Sequence, residues 1–311
     1  MGGRLAGLVA HVRPVFMLPV VGVSVCGTVL APGVDVGLGL QHAFAVGAAL
    51  FVAHLRDGLV DGHVRGEETP PLSVASYRRA TAATTALVLL LTASLATSAG
   101  LLAAGSVVVL LCLALLHAPY LDRHPVPVTV DYPIGIGVTL VGAYATQTGR
   151  VPADVAAVAV STAVLLAGIK IGIDRLDAAF DARIGKRTVP VIVGPAGARW
   201  IAVGGFLAAA ALVLASAGTG VRPGFAAVAS IAAGGCAAAT LTLSARWAVR
   251  IQMLLTYVFV GSLLVTLCGS ECAGWTVLTR LTPLSAIGEV QLDLVGRSPE
   301  LVEHLALAAL P

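Results

Sequence analysis

The chain has 311 residues, of which 58% are hydrophobic and only 11% are charged, and its formal net charge is +3 at pH 7. An average soluble domain carries roughly 25% charged residues. Charge this sparse cannot cover the surface of a water-soluble protein of this size, so the composition excludes that class and predicts an all-α, polytopic protein integral to a membrane.

Nine apolar runs are long enough, or nearly so, to cross the hydrocarbon core of a bilayer. In chain order they lie near residues 15–33, 41–57, 80–98, 101–118, 129–147, 152–172, 199–217, 223–244 and 252–270. The runs are built largely from Ala, Val, Leu and Gly. Small residues allow helix backbones to approach closely, so we expect these spans to pack as one helical bundle.

Most Arg and Lys residues fall in the connections on one side of these spans. The other side holds only Arg150, Arg222, Arg280 and Arg297. The positive-inside rule therefore places the N-terminus in the cytoplasm, together with the two longest connections, near residues 58–79 and 173–198. The dominance of Arg over Lys, with much Ala and Gly, is typical of high-GC bacterial genomes and suggests a bacterial cytoplasmic membrane.

An acidic pair lies where the second span ends and the first long connection begins. In HLRDGLVDGHVRGEE, residues 54–68 (the first acidic segment), Asp57 and Asp61 are four apart and share one helical face. Two carboxylates held in this way repel each other unless a cation lies beside them, and Mg²⁺ prefers such oxygen ligands. The alternative is a pair of helix-end acids neutralised locally, for example Asp61 by Arg65. His54, one turn earlier, is either a proton shuttle or a packed side chain.

Two polar residues flank the start of the fifth span. Arg123 follows the fourth span as a cytoplasmic base. Asp131 opens the fifth span, where it either faces a central cavity or caps the helix.

The second long connection opens with IDRLDAAFDARIGKRTVP, residues 173–190 (the second acidic segment). Asp174, Asp177 and Asp181 are spaced so that all three fall on one helical stripe. Three acids at a membrane boundary are costly unless a metal or bases balance them. Lys186 and Arg187 follow and can bind phosphate oxygens, Arg in bidentate fashion and Lys as a point charge. A salt-bridged cytoplasmic loop is the alternative.

The two acidic segments share a pattern. In each, an acidic pair closes a span, a basic stretch follows, and a proline lies nine residues beyond the second acid, Pro70 after Asp61 and Pro190 after Asp181. A duplicated four-helix unit would leave such a trace. Two acidic faces on one side could meet over a single cavity, where metal ions would bind a diphosphate and neutralise its charge as it departs. A prenyl diphosphate fits this layout, and a lipid-phosphate transferase or an ion transporter fits it too.

The sequence DRLDAAFDARIGKRTVPV resembles the second aspartate motif of the UbiA superfamily of membrane prenyltransferases, D-x-x-D-x-x-x-D followed by a G-x-R/K-T-x-P-V loop. The resemblance covers roughly residues 10–270. It implies a helical bundle around a central cavity, two Mg²⁺ ions, and ionisation of a prenyl diphosphate followed by attack of a small, often aromatic, acceptor. We interpret residues 1–270 as a UbiA-like domain of two four-helix halves plus a ninth helix. Residues 271–311 are interpreted as a tail with a short amphipathic helix.

The resemblance also implies roles for single residues. The catalytic metal ligands are Asp57, Asp61, Asp174, Asp177 and Asp181, and the diphosphate-binding bases are Arg123, Lys186 and Arg187. The second motif is complete. In the first, usually N-D-x-x-D-x-x-x-D, Gly58 replaces the second residue and Arg65 the last Asp. A tyrosine that the family keeps has no clean match, with His117 and Tyr120 nearest.

These departures leave a second possibility open within the family: a terpene cyclase that quenches the prenyl cation intramolecularly. A non-catalytic membrane transporter or scaffold is the alternative from another class. Neither a GxGxxG nor a Walker-type motif is placed after a strand, and nothing in the sequence predicts nucleic-acid binding.

Overall fold

The computed structural model of the protein describes residues 2–216 and 223–268. This part of the chain forms ten α-helices: α1 (Gly2–Val9), α2 (Pro14–Val29), α3 (Val36–Leu59), α4 (Val74–Ser98), α5 (Leu101–His117), α6 (Pro125–Thr148), α7 (Ala153–Arg183), α8 (Val189–Ser216), α9 (Pro223–Thr242) and α10 (Ala245–Leu267). A π-helical turn, Val60–Arg65, extends α3, and a 3-10 turn, Leu121–Arg123, precedes α6.

The predicted all-α membrane architecture is confirmed. Each of the nine predicted spans falls on one of α2 to α10. Seven of these helices are long and apolar enough to cross a membrane, and α2 and α5 are apolar helices of 16 and 17 residues. The short helix α1 was not predicted. The tail predicted for residues 271–311 lies outside the described residues.

Local sequence sets where the helices start and stop. The Asp35 side chain caps α3 by accepting a hydrogen bond from the Leu38 N–H at 2.9 Å. Helix α7 continues beyond the predicted span and ends at Arg183, within the second acidic segment, so the three aspartates of that segment lie on one helix. Helix α8 begins well before the predicted residue 199. It is broken at Gly194, whose φ of 75° is left-handed, and at Pro195.

The contacts between successive helices recur in the two predicted halves, but the α3–α5 contact of the first half has no counterpart of that extent between α7 and α9. In the first half α3 contacts α2, α4 and α5, and in the second half α7 contacts α6 and α8, which in turn contacts α9. Helices α2 and α5 join the halves by packing on α6, and α10 packs on α7 and α9. This packing favours two four-helix halves plus a ninth helix, which stays a prediction.

Close helix contact between the two predicted halves depends on Gly27 of α2. A Cβ atom at this position would lie 2.6 Å from the Leu140 carbonyl oxygen and 2.7 Å from the Ala143 Cβ of α6. We expect Gly27→Ala to lower stability by about 1–3 kcal/mol, the usual cost of overpacking. Gly22→Ala, on the same helix with nothing within 4 Å, is the matched control and should not lower it. Thermal unfolding in detergent measures both, and equal midpoints would contradict the close contact.

Candidate active site

The first acidic segment lies at the end of α3, where the helix widens into the π-helical turn. The turn closes at Gly66, whose φ of 69° is left-handed and whose N–H donates to the Asp61 carbonyl oxygen. The next N–H, that of Glu67, donates to the same oxygen at 2.8 Å. A left-handed backbone favours glycine, so the sequence R-G-E fixes this ending.

The second acidic segment ends α7 in a similar way. Gly185 has a left-handed φ of 75°, and the N–H of the following Lys186 donates to the Asp181 carbonyl oxygen at 2.9 Å. The first loop contains one residue more, in keeping with its π-helical turn. The parallel favours the duplicated unit predicted from the sequence.

An ion pair joins these two loops directly. The Lys186 Nζ lies 3.5 Å from the Glu67 Oε2, and the Glu67 side chain is only 9% exposed. Lys186 also interacts electrostatically with Asp57 and with Asp181. The two acidic segments therefore lie side by side, and the Lys186 side chain of the second segment reaches the carboxylates of the first.

Arg65 is the centre of a charged network in the first acidic segment. Its Nη1 lies 3.0 Å from the Asp61 Oδ1, its Nη2 2.5 Å from the Asp122 Oδ2, and its Nε 3.8 Å from the Glu67 Oε1. The local Asp61–Arg65 pair that we considered from the sequence is thus present. Asp122 was not predicted, because its 3-10 turn comes next to Arg65 only through the packing of the bundle.

His117 links Asp57 to a second carboxylate. The His117 Nε2 lies 3.5 Å from the Asp57 Oδ1, and its Nδ1 is hydrogen-bonded to the Asp131 Oδ2. Helix α6 begins at Pro125, so Asp131 lies inside the helix. The interpretation of Asp131 as a helix cap is wrong, and its carboxylate instead orients His117 towards the first acidic segment.

The space beside Gly58 is filled by two side chains distant in sequence. A Cβ atom at Gly58 would collide with the His11 Nε2 and lie 2.8 Å from the Tyr77 hydroxyl. These two groups are hydrogen-bonded to each other at 2.9 Å. His54 is also buried here and donates from Nδ1 to the His11 carbonyl oxygen at 3.1 Å, as the interpretation of a packed side chain predicts.

The three aspartates of the second acidic segment differ in environment. Asp174 and Asp181 are buried, whereas Asp177 is exposed. Lys170, one turn earlier, pairs with the Asp174 Oδ1, but the Asp174 Oδ2 is buried and has no hydrogen-bond partner. The Asp181 Oδ2 accepts a hydrogen bond from the Thr188 hydroxyl at 3.2 Å. An orphaned, buried carboxylate oxygen is therefore available on this stripe.

The three predicted diphosphate-binding bases also differ in their exposure to solvent. Lys186 is half-buried between the acidic segments, whereas Arg123 and Arg187 are exposed. Neither guanidinium has an ion-pair partner among residues 2–216 and 223–268, so both are available to a ligand.

The carboxylates suit a metal bound together with a phosphate better than a metal bound alone. In the described part of the chain, no group of three or more His, Cys, Asp or Glu side chains is arranged to hold a metal ion. Mg²⁺ is usually bound through one or two carboxylates together with substrate phosphates and water, not in an all-protein cage. Asp174, with its unpaired oxygen, and the exposed Asp177 fit this mode of binding.

A groove of about 480 Å³ lies elsewhere, between α3, α4 and α5. It is lined by Arg56, Leu59, Arg78, Thr81, Ala82, Thr85, Ala86, Leu89 and Leu115. None of the eight predicted site residues is among them, so this groove is not the candidate site.

Solved structures share this arrangement of helices. A digeranylgeranylglyceryl phosphate synthase superposes with a TM-score of 0.71 at 13% identity, covering 85% of this chain and 99% of that one. A UbiA homologue from Archaeoglobus fulgidus, bound to GPP and Mg²⁺, gives 0.64 at 15% identity, covering 85% and 99%. A UbiA homologue from Aeropyrum pernix K1 gives 0.63 at 17% identity, covering 82% and 98%. The chain has the UbiA fold.

The UbiA fold confirms the architecture that the second acidic segment led us to expect. No protein-family model matches the sequence, and no curated protein matches it. At such low identity the likeness establishes the fold, and the chemistry must be argued from this chain's own residues. In this UbiA fold, the ends of α3 and α7 carry the two acidic segments.

Proposed function

We propose that the protein is a Mg²⁺-dependent membrane enzyme of the UbiA superfamily that uses a prenyl diphosphate. It ionises this substrate and transfers the prenyl group to a small, aromatic acceptor. The observation that carries the proposal is the meeting of two carboxylate-bearing helix ends through the Glu67–Lys186 ion pair. The A. fulgidus homologue bound to GPP and Mg²⁺, which has the same fold, supports the substrate class.

Each predicted site residue has a role in this proposal. Asp174, Asp177 and Asp181 (the α7 stripe), together with Asp57 and Asp61 of the first acidic segment, would hold Mg²⁺, as the resemblance implies. The bases Arg123, Lys186 and Arg187 bind phosphate oxygens. When bound, the metal supplies positive charge that stabilises the departing diphosphate.

The reaction begins when the bond between the prenyl carbon and the diphosphate oxygen breaks. The bonding electrons leave with pyrophosphate, and an allylic cation remains. A ring carbon of the acceptor then forms the new bond to the prenyl group, and the ring loses a proton. Apolar helices around the prenyl chain limit the access of water to the cation. The positive-inside pattern supports a site at the cytoplasmic face of the membrane, and we propose that this is a bacterial cytoplasmic membrane.

Product analysis tests the proposal. The protein in nanodiscs is supplied with labelled C10 to C25 prenyl diphosphates, with Mg²⁺ or EDTA, and with or without a panel of phenols and hydroxynaphthoates. We expect Mg²⁺-dependent release of pyrophosphate and a prenylated aromatic product only when an acceptor is present.

Two other outcomes of this experiment would contradict the proposal, in part or as a whole. A cyclic hydrocarbon formed without acceptor would identify a UbiA-type terpene cyclase and overturn the proposed transfer step. No release of pyrophosphate under any condition would contradict the enzyme and leave a transporter or scaffold.

A further inference from the structure

Arg65 occupies the position of the last Asp in the first aspartate motif of the UbiA superfamily. The carboxylates of Asp61, Glu67 and Asp122 surround it. We infer that Arg65 is a resident cation that takes the place of one divalent metal ion, so that the protein binds a prenyl diphosphate with one Mg²⁺ on the α7 stripe and not with two. The inference rests on the proposed function and changes it at one point: Asp57 and Asp61 hold no second metal ion, and Asp61 instead positions Arg65.

The first argument is charge. Asp61, Glu67 and Asp122 lie 3.0, 3.8 and 2.5 Å from nitrogens of one guanidinium. Three carboxylates this close repel one another unless a cation lies among them. A divalent ion bound to the same oxygens would lie a few ångströms from the guanidinium and be repelled by it. The network therefore holds the Arg65 cation or a metal, but not both.

The second argument is that the charges of this network are buried and that the positive charge of Arg65 does not depend on a bound metal. The Arg65 side chain is 16% exposed, and the Asp122 side chain is 6% exposed, so these charges are largely removed from water. Breaking a buried pair by removing one partner leaves an uncompensated charge. A guanidinium stays protonated in proteins, so this cation is present whether or not a metal is bound.

The third argument is the contrast between the two acidic segments. On α7 the Asp174 Oδ2 is buried without a hydrogen bond, and Asp177 is exposed without an ion-pair partner among the described residues. In the first acidic segment the guanidinium already supplies positive charge. Lys170 pairs with only one oxygen of Asp174, so the other Asp174 oxygen and Asp177 have no cation beside them, whereas Asp61 has Arg65. A single Mg²⁺ on the α7 stripe would supply the missing charge.

The number of bound ions tests the inference. Mn²⁺ is titrated into the protein with a non-hydrolysable prenyl thiodiphosphate, and free Mn²⁺ is measured by electron paramagnetic resonance. We expect one bound ion for wild type and two for Arg65→Asp, which restores the acid of the family motif. Arg79→Asp, at an exposed position on α4, is the matched control and should bind one.

The outcomes separate the inference from the proposed function. Two ions in wild type would overturn the inference and leave the proposed function standing. No ion in any of the proteins would contradict both. Arg65→Lys keeps the charge and should bind one ion, which gives a second result if Arg65→Asp does not fold; two ions here would also overturn the inference.

A measurement without substrate tests the same point independently of catalysis. In EDTA we expect Arg65→Gln to unfold about 5 °C or more below wild type and below Arg79→Gln. Adding Mn²⁺ should raise the midpoint of Arg65→Gln alone, because the Glu67 Oε1 and the Asp122 Oδ1, which make no hydrogen bond, then become open to a metal. Equal midpoints with no response to Mn²⁺ would overturn the inference.

Discussion

Asp177→Asn is expected to slow pyrophosphate release by on the order of 10²- to 10³-fold, the usual effect of removing one group that stabilises developing charge. The folded protein should remain as stable as wild type. Asp177 is exposed and has no hydrogen-bond or ion-pair partner in residues 2–216 and 223–268, so the substitution removes no contact from the fold. It does remove a carboxylate from the stripe proposed to hold Mg²⁺.

Asp154→Asn, at the opposite end of α7, is the control for the rate. It should leave the rate unchanged, and the Asn side-chain oxygen can keep the hydrogen bond that the Asp154 Oδ1 accepts from the Val155 N–H. Asp174→Asn is a less informative variant, because it also removes the partner of Lys170. A continuous pyrophosphate assay and thermal unfolding measure the two effects. If Asp177→Asn released pyrophosphate at the wild-type rate, the α7 stripe would not be the metal site.

Gly58→Asp, which restores the residue of the family motif, is expected to reduce the amount of folded protein and its activity. A side chain at this position would collide with His11 and lie 2.8 Å from the Tyr77 hydroxyl at its first carbon. Overpacking of this kind costs about 1–3 kcal/mol. The added carboxylate would also be buried close to Asp57, and it would repel that charge.

A second substitution should relieve the first. We expect the double variant Gly58→Asp/His11→Ala to unfold at a higher temperature than Gly58→Asp, because the smaller side chain vacates the space. Gly105→Ala, on α5 with nothing within 4 Å, is the control for adding a side chain to a helical glycine, in comparison with Gly58→Ala. A stable and fully active Gly58→Asp protein would show that His11 is not seated against α3.

Sequence periodicity predicted the parts of the site that lie within one helix. The stripe Asp174, Asp177 and Asp181 depends only on helical spacing, and α7 does continue through all three. The ion pair of Asp61 and Arg65 also depends only on a spacing of four residues, and it forms even though this turn is π-helical. Nine spans were predictable because apolar length is a direct requirement of the bilayer.

The rest of the site depends on contacts between distant parts of the chain. Asp122 reaches Arg65, and Asp131 reaches His117, only because the bundle brings α6 and its preceding turn against the ends of α3 and α5. The position of His11 beside Gly58 likewise depends on the short helix α1, which directly precedes His11. No long apolar run predicts that helix. Spacing rules carry no information about such pairs, although each unpredicted acid or histidine was visible as a rare polar residue in an apolar sequence.

The most direct test of the proposed site is a structure of the protein with Mg²⁺ and a prenyl thiodiphosphate. We expect the diphosphate between the ends of α3 and α7, with Lys186 on its oxygens and the metal touching Asp174 or Asp177. The hydrocarbon chain should lie among the apolar helices. A diphosphate bound away from both acidic segments, or a metal that displaces Arg65 from Asp61, would contradict this arrangement.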